Sequence, residues 1–247
     1  MNRMNDFLKD GERIDDLERG GYRVIQNPGL FCFGMDAVLL SAFAKTKPTD
    51  RVLDLCSGNG IIPILLIARE KAKSVTGIEI QSTSADIFKR SVGLNGLEDR
   101  VEVICADIKD RDAFGEGEYD AVTCNPPYMS AGDGIVNPGD AKALARHEIM
   151  CDFADVAKAA SKALKSGGKF FFVHRPRRLT EIFAALKDCG LEAKRMQNIH
   201  PKEGSPANMI LVEAVKDGRV QMVIEPPLIV YDEKGEYTKE VRSMYYD

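Results

Sequence analysis

The chain has 247 residues, more than an average domain and the usual length of one large α/β domain. Apolar residues make up 44% and charged residues 29%, which excludes disorder as the main state; no run of 18 apolar residues and no basic, apolar leader is found, so neither a membrane span nor secretion is expected and the location reads as cytoplasmic. A net charge of −4 excludes a binder of nucleic acid that is basic all over, although residues 141–200 hold twelve Lys and Arg against six Asp and Glu.

Residues 1–20 are mostly polar and define no firm element. Residues 22–26 and 30–33 read as two short strands about the turn Asn27-Pro28-Gly29. Asp36 then reads as the cap of a helix to about residue 45, with Ala37, Leu40, Ser41 and Ala44 on its inner face. From residue 51 strands and helices alternate: strands at 52–55, 74–80, 101–105, 119–124 and 169–173, with helices at about 60–71, 82–95, 153–165 and 179–189. That pattern predicts a doubly wound sheet of parallel strands. Strands at 192–199 and 208–215, joined by a loop with Pro201 and Gly204, are expected to pair antiparallel. The tail from 217, with Pro226-Pro227 and four Tyr, reads as an added strand and an arm. The whole is read as one domain: an extension of hairpin and helix over 1–50, a core over 51–216 and the tail over 217–247.

Cys32, Cys56, Cys105, Cys124, Cys151 and Cys189 form no C-x-x-C pair, and His147, His174 and His200 lack metal-ligand spacing, so no metal is expected and the thiols read as reduced and buried. The stretch Asp54-Leu55-Cys56-Ser57-Gly58-Asn59-Gly60 lies where the first sheet strand turns into a helix, where Gly58 and Gly60 let backbone approach a ligand. Position 63 is Pro where the dinucleotide fingerprint needs Gly, which disfavours NAD. Asp54 suits a positive centre, Glu79 at the next strand end suits two ribose hydroxyls, and Asp107 after the third suits an adenine amino group. Ile80 and Ile108, each following an acid, either sandwich the adenine or simply pack in the core. S-adenosylmethionine has all these parts.

Asn125-Pro126-Pro127-Tyr128 follows the apolar strand at 119–124. Two prolines cannot continue a sheet, so they give the Asn a rigid mount at its end. A conjugated amino group is a poor nucleophile because its lone pair is delocalised. The Asn125 amide oxygen and the Pro126 carbonyl can each accept one of its hydrogens and turn the lone pair toward an electrophile, while Tyr128 stacks on a flat substrate. Arg146 and His147 fall in the long Gly- and Asp-containing loop beyond, and Arg175, Arg177 and Arg178 follow the fifth strand at the same edge. All five can grip phosphates or stand as solvated charge.

These motifs resemble the class I methyltransferases, and N-P-P-Y resembles the branch that methylates adenine N6, cytosine N4 or glutamine N5. The chain is most similar to bacterial tRNA (adenine-N6) methyltransferases that act next to the anticodon of a valine tRNA. The likeness extends over residues 33–41, Gly77-Ile78-Glu79-Ile80-Gln81, Asn125-Pro126-Pro127-Tyr128, Ala145-Arg146-His147-Glu148 and His174-Arg175-Pro176. It implies a seven-stranded sheet in the order 3-2-1-4-5-7-6, S-adenosylmethionine as cofactor and tRNA as partner. One departure is Cys56, where such loops often carry Gly and where an ordinary backbone conformation is expected. The competing activities are a protein glutamine-N5 methyltransferase, usually preceded by a larger helical domain, and a non-catalytic RNA-binding module on the same scaffold.

Overall fold

Phe170-Phe171-Phe172-Val173 is apolar without alternation, and the chain uses it as a strand covered on both sides. Phe170 and Phe172 pack into one core cluster, and Phe171 and Val173 into another across the sheet. The computed structural model describes residues 6–30, 32–110, 112–126 and 151–246. Its elements in chain order are β1 (Arg13–Asp16), β2 (Arg23–Gln26), α1 (Met35–Phe43), β3 (Arg51–Leu55), α2 (Ile61–Ala68), β4 (Ser74–Glu79), α3 (Ser82–Leu94), β5 (Val101–Cys105), β6 (Tyr119–Cys124), α4 (Phe153–Ala163), β7 (Leu164–His174), α5 (Leu179–Asp188), β8 (Leu191–His200), β9 (Met209–Lys216), β10 (Val223–Ile229) and α6 (Lys239–Tyr246).

The central sheet has the order β10-β8-β9-β7-β6-β3-β4-β5. Strands β3 to β7 pair parallel, and β9 lies antiparallel between β7 and β8. With β3 counted as the first strand of the core, this is the expected order 3-2-1-4-5-7-6. The expected seven strands become eight, because β10 adds to the outer edge, parallel to β8. One face carries α1, α2 and α3, and the other α4 and α5, as the two core clusters show. No helix among the described residues is long and apolar enough to cross a membrane.

The amino-terminal hairpin is not the expected one. Residues 23–26 pair antiparallel with Arg13–Asp16, not with the segment after Pro28. The reversal falls on Gly20 and Gly21, at φ of 60° and 73°; Pro28 and Gly29 stand outside it. What orders the polar segment is Arg90 on α3. Its guanidinium donates to both Glu12 carboxylate oxygens at 2.6 and 2.7 Å and to the Phe7 carbonyl at 2.6 Å. Strand β2 is in turn stitched to α3 and its end, through the Ile25 amide to Ser91 Oγ and the Arg23 amide to Asn95 Oδ1.

Helix α1 is buried over nearly all its length, and its carboxyl end is held from outside. Lys71 Nζ donates to the carbonyls of Ser41, Ala42 and Ala44 at the carboxyl end, at 3.0, 2.6 and 2.9 Å. Arg195 adds a bond to the Phe43 carbonyl while pairing with Glu213 and Glu225. The cap at the other end is Gly34, so Asp36 lies in the first turn, one of the buried residues of the helix.

Candidate active site

All parallel strands of the sheet end at one edge, and Asp54, Glu79, Asp107 and Asn125 of the residues expected to carry the chemistry lie there. Asp54 stands on β3 directly beside Thr123 of β6, whose hydroxyl donates to Asp54 Oδ1 at 2.5 Å. Oδ2 is buried and has no partner among the described residues. Burial raises the Asp54 pKa to about 7, against the hydrogen bonds from Thr123 and Ser57 and with a push from the Glu79 charge. An acid so placed favours an incoming donor or cation.

Glu79 ends β4 nearly buried, and each of its oxygens takes a backbone amide: Oε2 from Gly58 and Oε1 from Gln81, both at 2.8 Å. The carboxylate thus braces the β3–α2 loop and the start of α3, and each oxygen keeps a lone pair for a hydroxyl. Asp107 Oδ1 accepts from the Lys109 amide in a tight turn after β5. Ile108 is buried in the core, as one of its two readings has it, whereas Ile80 is 37% exposed at the strand edge and free of the core.

The β3–α2 loop corrects one expectation. Cys56 has φ of 58°, in the left-handed region and not in an ordinary conformation, so the chain pays the strain that a Gly would avoid there. The glycines also divide their work. A Cβ on Gly58 would meet nothing within 4 Å, which leaves room over its backbone. A Cβ on Gly60 would come within 1.9 Å of Phe88, and one on Gly77 within 2.3 Å of the same ring. Gly60 therefore lets α3 close onto the loop, and Gly58 leaves open space where a side chain would stand.

Asn125 follows β6. Its Nδ2 donates to Asp36 Oδ2 at 2.9 Å, and its Oδ1 is buried with no partner among the described residues. Pro126 is buried beside it. Asp36 is the residue that reading the sequence by local pattern missed; a helix-cap acid is an ordinary sight, and only the fold brings it across 89 positions. His174, at the end of β7, is buried against Phe153, and burial lowers its pKa to about 4. Arg175 and Arg178 follow at this edge, donating to the Asn208 carbonyl and to Glu181, and Arg177 lies in the short 3-10 turn between them. Pro127, Tyr128, Arg146 and His147 lie outside the described residues. Among the described residues no cluster of His, Cys, Asp or Glu can hold a metal ion.

A parallel sheet with acids at the ends of its first two core strands, an open glycine between them and an Asn at the end of the fourth defines a class I methyltransferase. The chain belongs to the methyltransferase small domain family, whose model matches residues 21–189. It is 30% identical over 212 residues to the tRNA1(Val) (adenine(37)-N6)-methyltransferase of Shewanella amazonensis, covering 86% of this chain and 89% of that one. It is 25% identical over 214 residues to the enzyme of the same name from Bacteroides thetaiotaomicron, with 85% and 87% covered. Among solved structures it is similar to an Agrobacterium tumefaciens protein described as a predicted O-methyltransferase, at a TM-score of 0.69 and 27% identity over 85% of this chain and 95% of that one. The fold also matches P. horikoshii TYW2 in complex with MeSAdo, at a TM-score of 0.59 and 16% identity over 85% and 73% of the two chains.

Proposed function

We propose that this chain methylates the exocyclic N6 amino group of an adenine in a tRNA anticodon loop, with S-adenosylmethionine as donor. The observation that carries the reading is the buried Asn125 Oδ1, which lacks a donor among the described residues and stands at the end of β6. A buried carbonyl oxygen without a partner costs about 1–3 kcal/mol, so the site is built for an N–H that arrives with the substrate. Relatives named for adenine 37 of tRNA1(Val) support that class of substrate, and a tRNA substrate is in keeping with a cytoplasmic enzyme.

The residues present fit the donor: Asp54 Oδ2 is buried with no partner among the described residues, Gly58 has open space where a side chain would stand, and the Glu79 carboxylate is held by the Gly58 amide. Asp54 would hold the amino-acid part, Glu79 the ribose hydroxyls, and Asp107 with the exposed Ile80 the adenine. Bound there, S-adenosylmethionine supplies a methyl group on a positively charged sulfur. Asn125 and the Pro126 carbonyl take the two amino hydrogens of the target and free its lone pair. Tyr128 is assigned to stack the extruded base, which returns ~1–3 kcal/mol of the cost of unstacking it. Arg146, His147, Arg175, Arg177 and Arg178 are assigned to the phosphates. The chain from 1 to 247 is read as one catalytic unit.

The test is incubation with methyl-labelled S-adenosylmethionine and a valine tRNA transcript bearing adenine at position 37, followed by digestion to nucleosides. N6-methyladenosine is expected, and Asn125→Ala is expected to abolish it. Label that appears only in the glutamine of an added release factor would replace the RNA reading by the protein one.

A further inference from the structure

A carboxamide in an active site is ambiguous until something fixes which end faces the substrate. An Asn turned the wrong way would offer two hydrogens to an amino group that already carries two, and the pair would repel. In this chain the choice is made by Asp36. A carboxylate has no hydrogen to give, so only the Nδ2 end of Asn125 can face it, and the contact of 2.9 Å is a direct hydrogen bond. The Oδ1 end is then the one left buried and without a donor among the described residues.

The position of Asp36 is itself prepared. It lies in the first turn of α1, where the helix dipole favours a negative charge. Its other oxygen accepts from the Ala37 amide at 3.0 Å. A side chain at residue 34 would crowd that oxygen, since a Cβ on Gly34 would lie 2.9 Å from it. At the far end of the same helix, Lys71 and Arg195 hold the last carbonyls. The carboxylate is thus mounted on a helix fixed at its far end, 89 residues away in sequence from the amide that it orients.

We propose that Asp36 is the positioning residue for methyl transfer: it sets the Asn125 amide with its oxygen toward the substrate amino group and polarises that oxygen. A charge-assisted bond to the amide N–H draws electron density onto the carbonyl oxygen, so Oδ1 becomes a better acceptor. The effect grows as the attacking nitrogen gains positive charge during transfer, and for that reason it belongs to the transition state more than to binding. The inference rests on the assignment of Asn125 made above.

The experiment compares Asp36→Ala, Asp36→Asn, Asn125→Ala and the double variant Asp36→Ala/Asn125→Ala, with the same valine tRNA transcript and labelled S-adenosylmethionine. Asp36→Ala is expected to lower kcat at least about tenfold with KM for tRNA near the parent value, the pattern of an interaction made in the transition state. Asp36→Asn, which keeps an acceptor without the charge, is expected to recover part of that loss. The double variant is expected to be no slower than Asn125→Ala alone, because the carboxylate acts only through the amide. Calorimetric affinity for S-adenosylmethionine and the thermal midpoint should stay close to the parent in Asp36→Ala. The inference is overturned if Asp36→Ala turns over within twofold of the parent, or if cofactor affinity and thermal midpoint fall in step with kcat. An inactive Asn125→Ala beside a fully active Asp36→Ala removes only the role of Asp36. Parent-like turnover by Asn125→Ala removes the assignment of Asn125 and this inference with it.

Discussion

Asp54 is an acid that the fold keeps from ionising easily, since burial raises its pKa to about 7. In the unfolded chain it titrates near pH 4, as an ordinary Asp does. Between about pH 4 and 7 the folded chain therefore holds a proton that the unfolded chain has lost, and the contribution of Asp54 to stability falls as pH rises through that window. Urea unfolding at several pH values should show the parent losing stability relative to Asp54→Asn between those limits, with no further change above. A cation held at Asp54 favours its charged form, so affinity for S-adenosylmethionine should rise over the same window in the parent and stay flatter in Asp54→Asn. Parallel pH profiles in the two proteins would remove the perturbed acid from the site. Asp54, Glu79 and Asn125 were all legible in the sequence because each ends a strand, and strand ends can be found from apolar runs alone. The left-handed backbone at Cys56 was not, since it follows from how the loop meets Glu79 and not from the residue itself.

At the scale of elements, α1 behaves as a strut. It carries Asp36 at one end, while Lys71 and Arg195 grip the carbonyls at the other. Lys71→Ala would leave three main-chain acceptors, at residues 41, 42 and 44, without their charged donor. A loss of roughly 1.5–3 kcal/mol is expected, the worth of hydrogen bonds to a charged group. A urea midpoint equal to that of the parent would show the end of the helix satisfied by other means. Alternation made most core strands and helices readable to within about three residues, but β7 begins at Leu164, where the preceding helix is expected to run on to residue 165 and the strand to start at 169. The hairpin was misread for a physical reason: Asn27-Pro28-Gly29 has the composition of a turn, but the pairing is decided by β2 lying along α3, with Ser91 and Asn95 taking and giving its backbone bonds. Gly60 and Gly77 show the same limit, because the ring they make room for, Phe88, sits on an element of its own.

Over the whole molecule, the described part of the basic stretch does not form one surface. Lys165 and Lys169 lie toward the start of β7 and pair with Asp120 and Glu213, and Arg195 pairs with Glu213 and Glu225. Arg175, Arg177 and Arg178 follow the other end of β7, about 20 Å from Lys169 at the usual rise of a strand. Only the second group shares the edge with Asn125. Replacing these three by Glu is expected to raise KM for tRNA at least about tenfold and to flatten the dependence of binding on salt, since fewer counterions are released. Affinity for S-adenosylmethionine should stay near the parent value. An unchanged salt slope in a folded variant would move the RNA contact elsewhere. Summed charge along the chain suggests a basic face; among the described residues, Lys165, Lys169 and Arg195 are taken out of it by acids from other parts of the sequence.

The eighth strand bears on how the protein behaves at high concentration. Among the described residues β10 is the last strand of the sheet, and Val223 and Ile224 on it are 55% and 63% exposed. An outer strand with free backbone and apolar side chains is a template on which another copy can add its own strand. Pro226 and Pro227 lie in the middle of this one, where the register against β8 shifts between Glu225 and Leu228. Neither has an N–H to give a newcomer, and the kink breaks the straight run that stacking needs. Replacing both by Val would restore a continuous outward edge, and light scattering should then rise with protein concentration in a variant whose methyl transfer is intact. The two prolines act as a stop on growth of the sheet, keeping its hydrogen-bonding edge closed to its own kind.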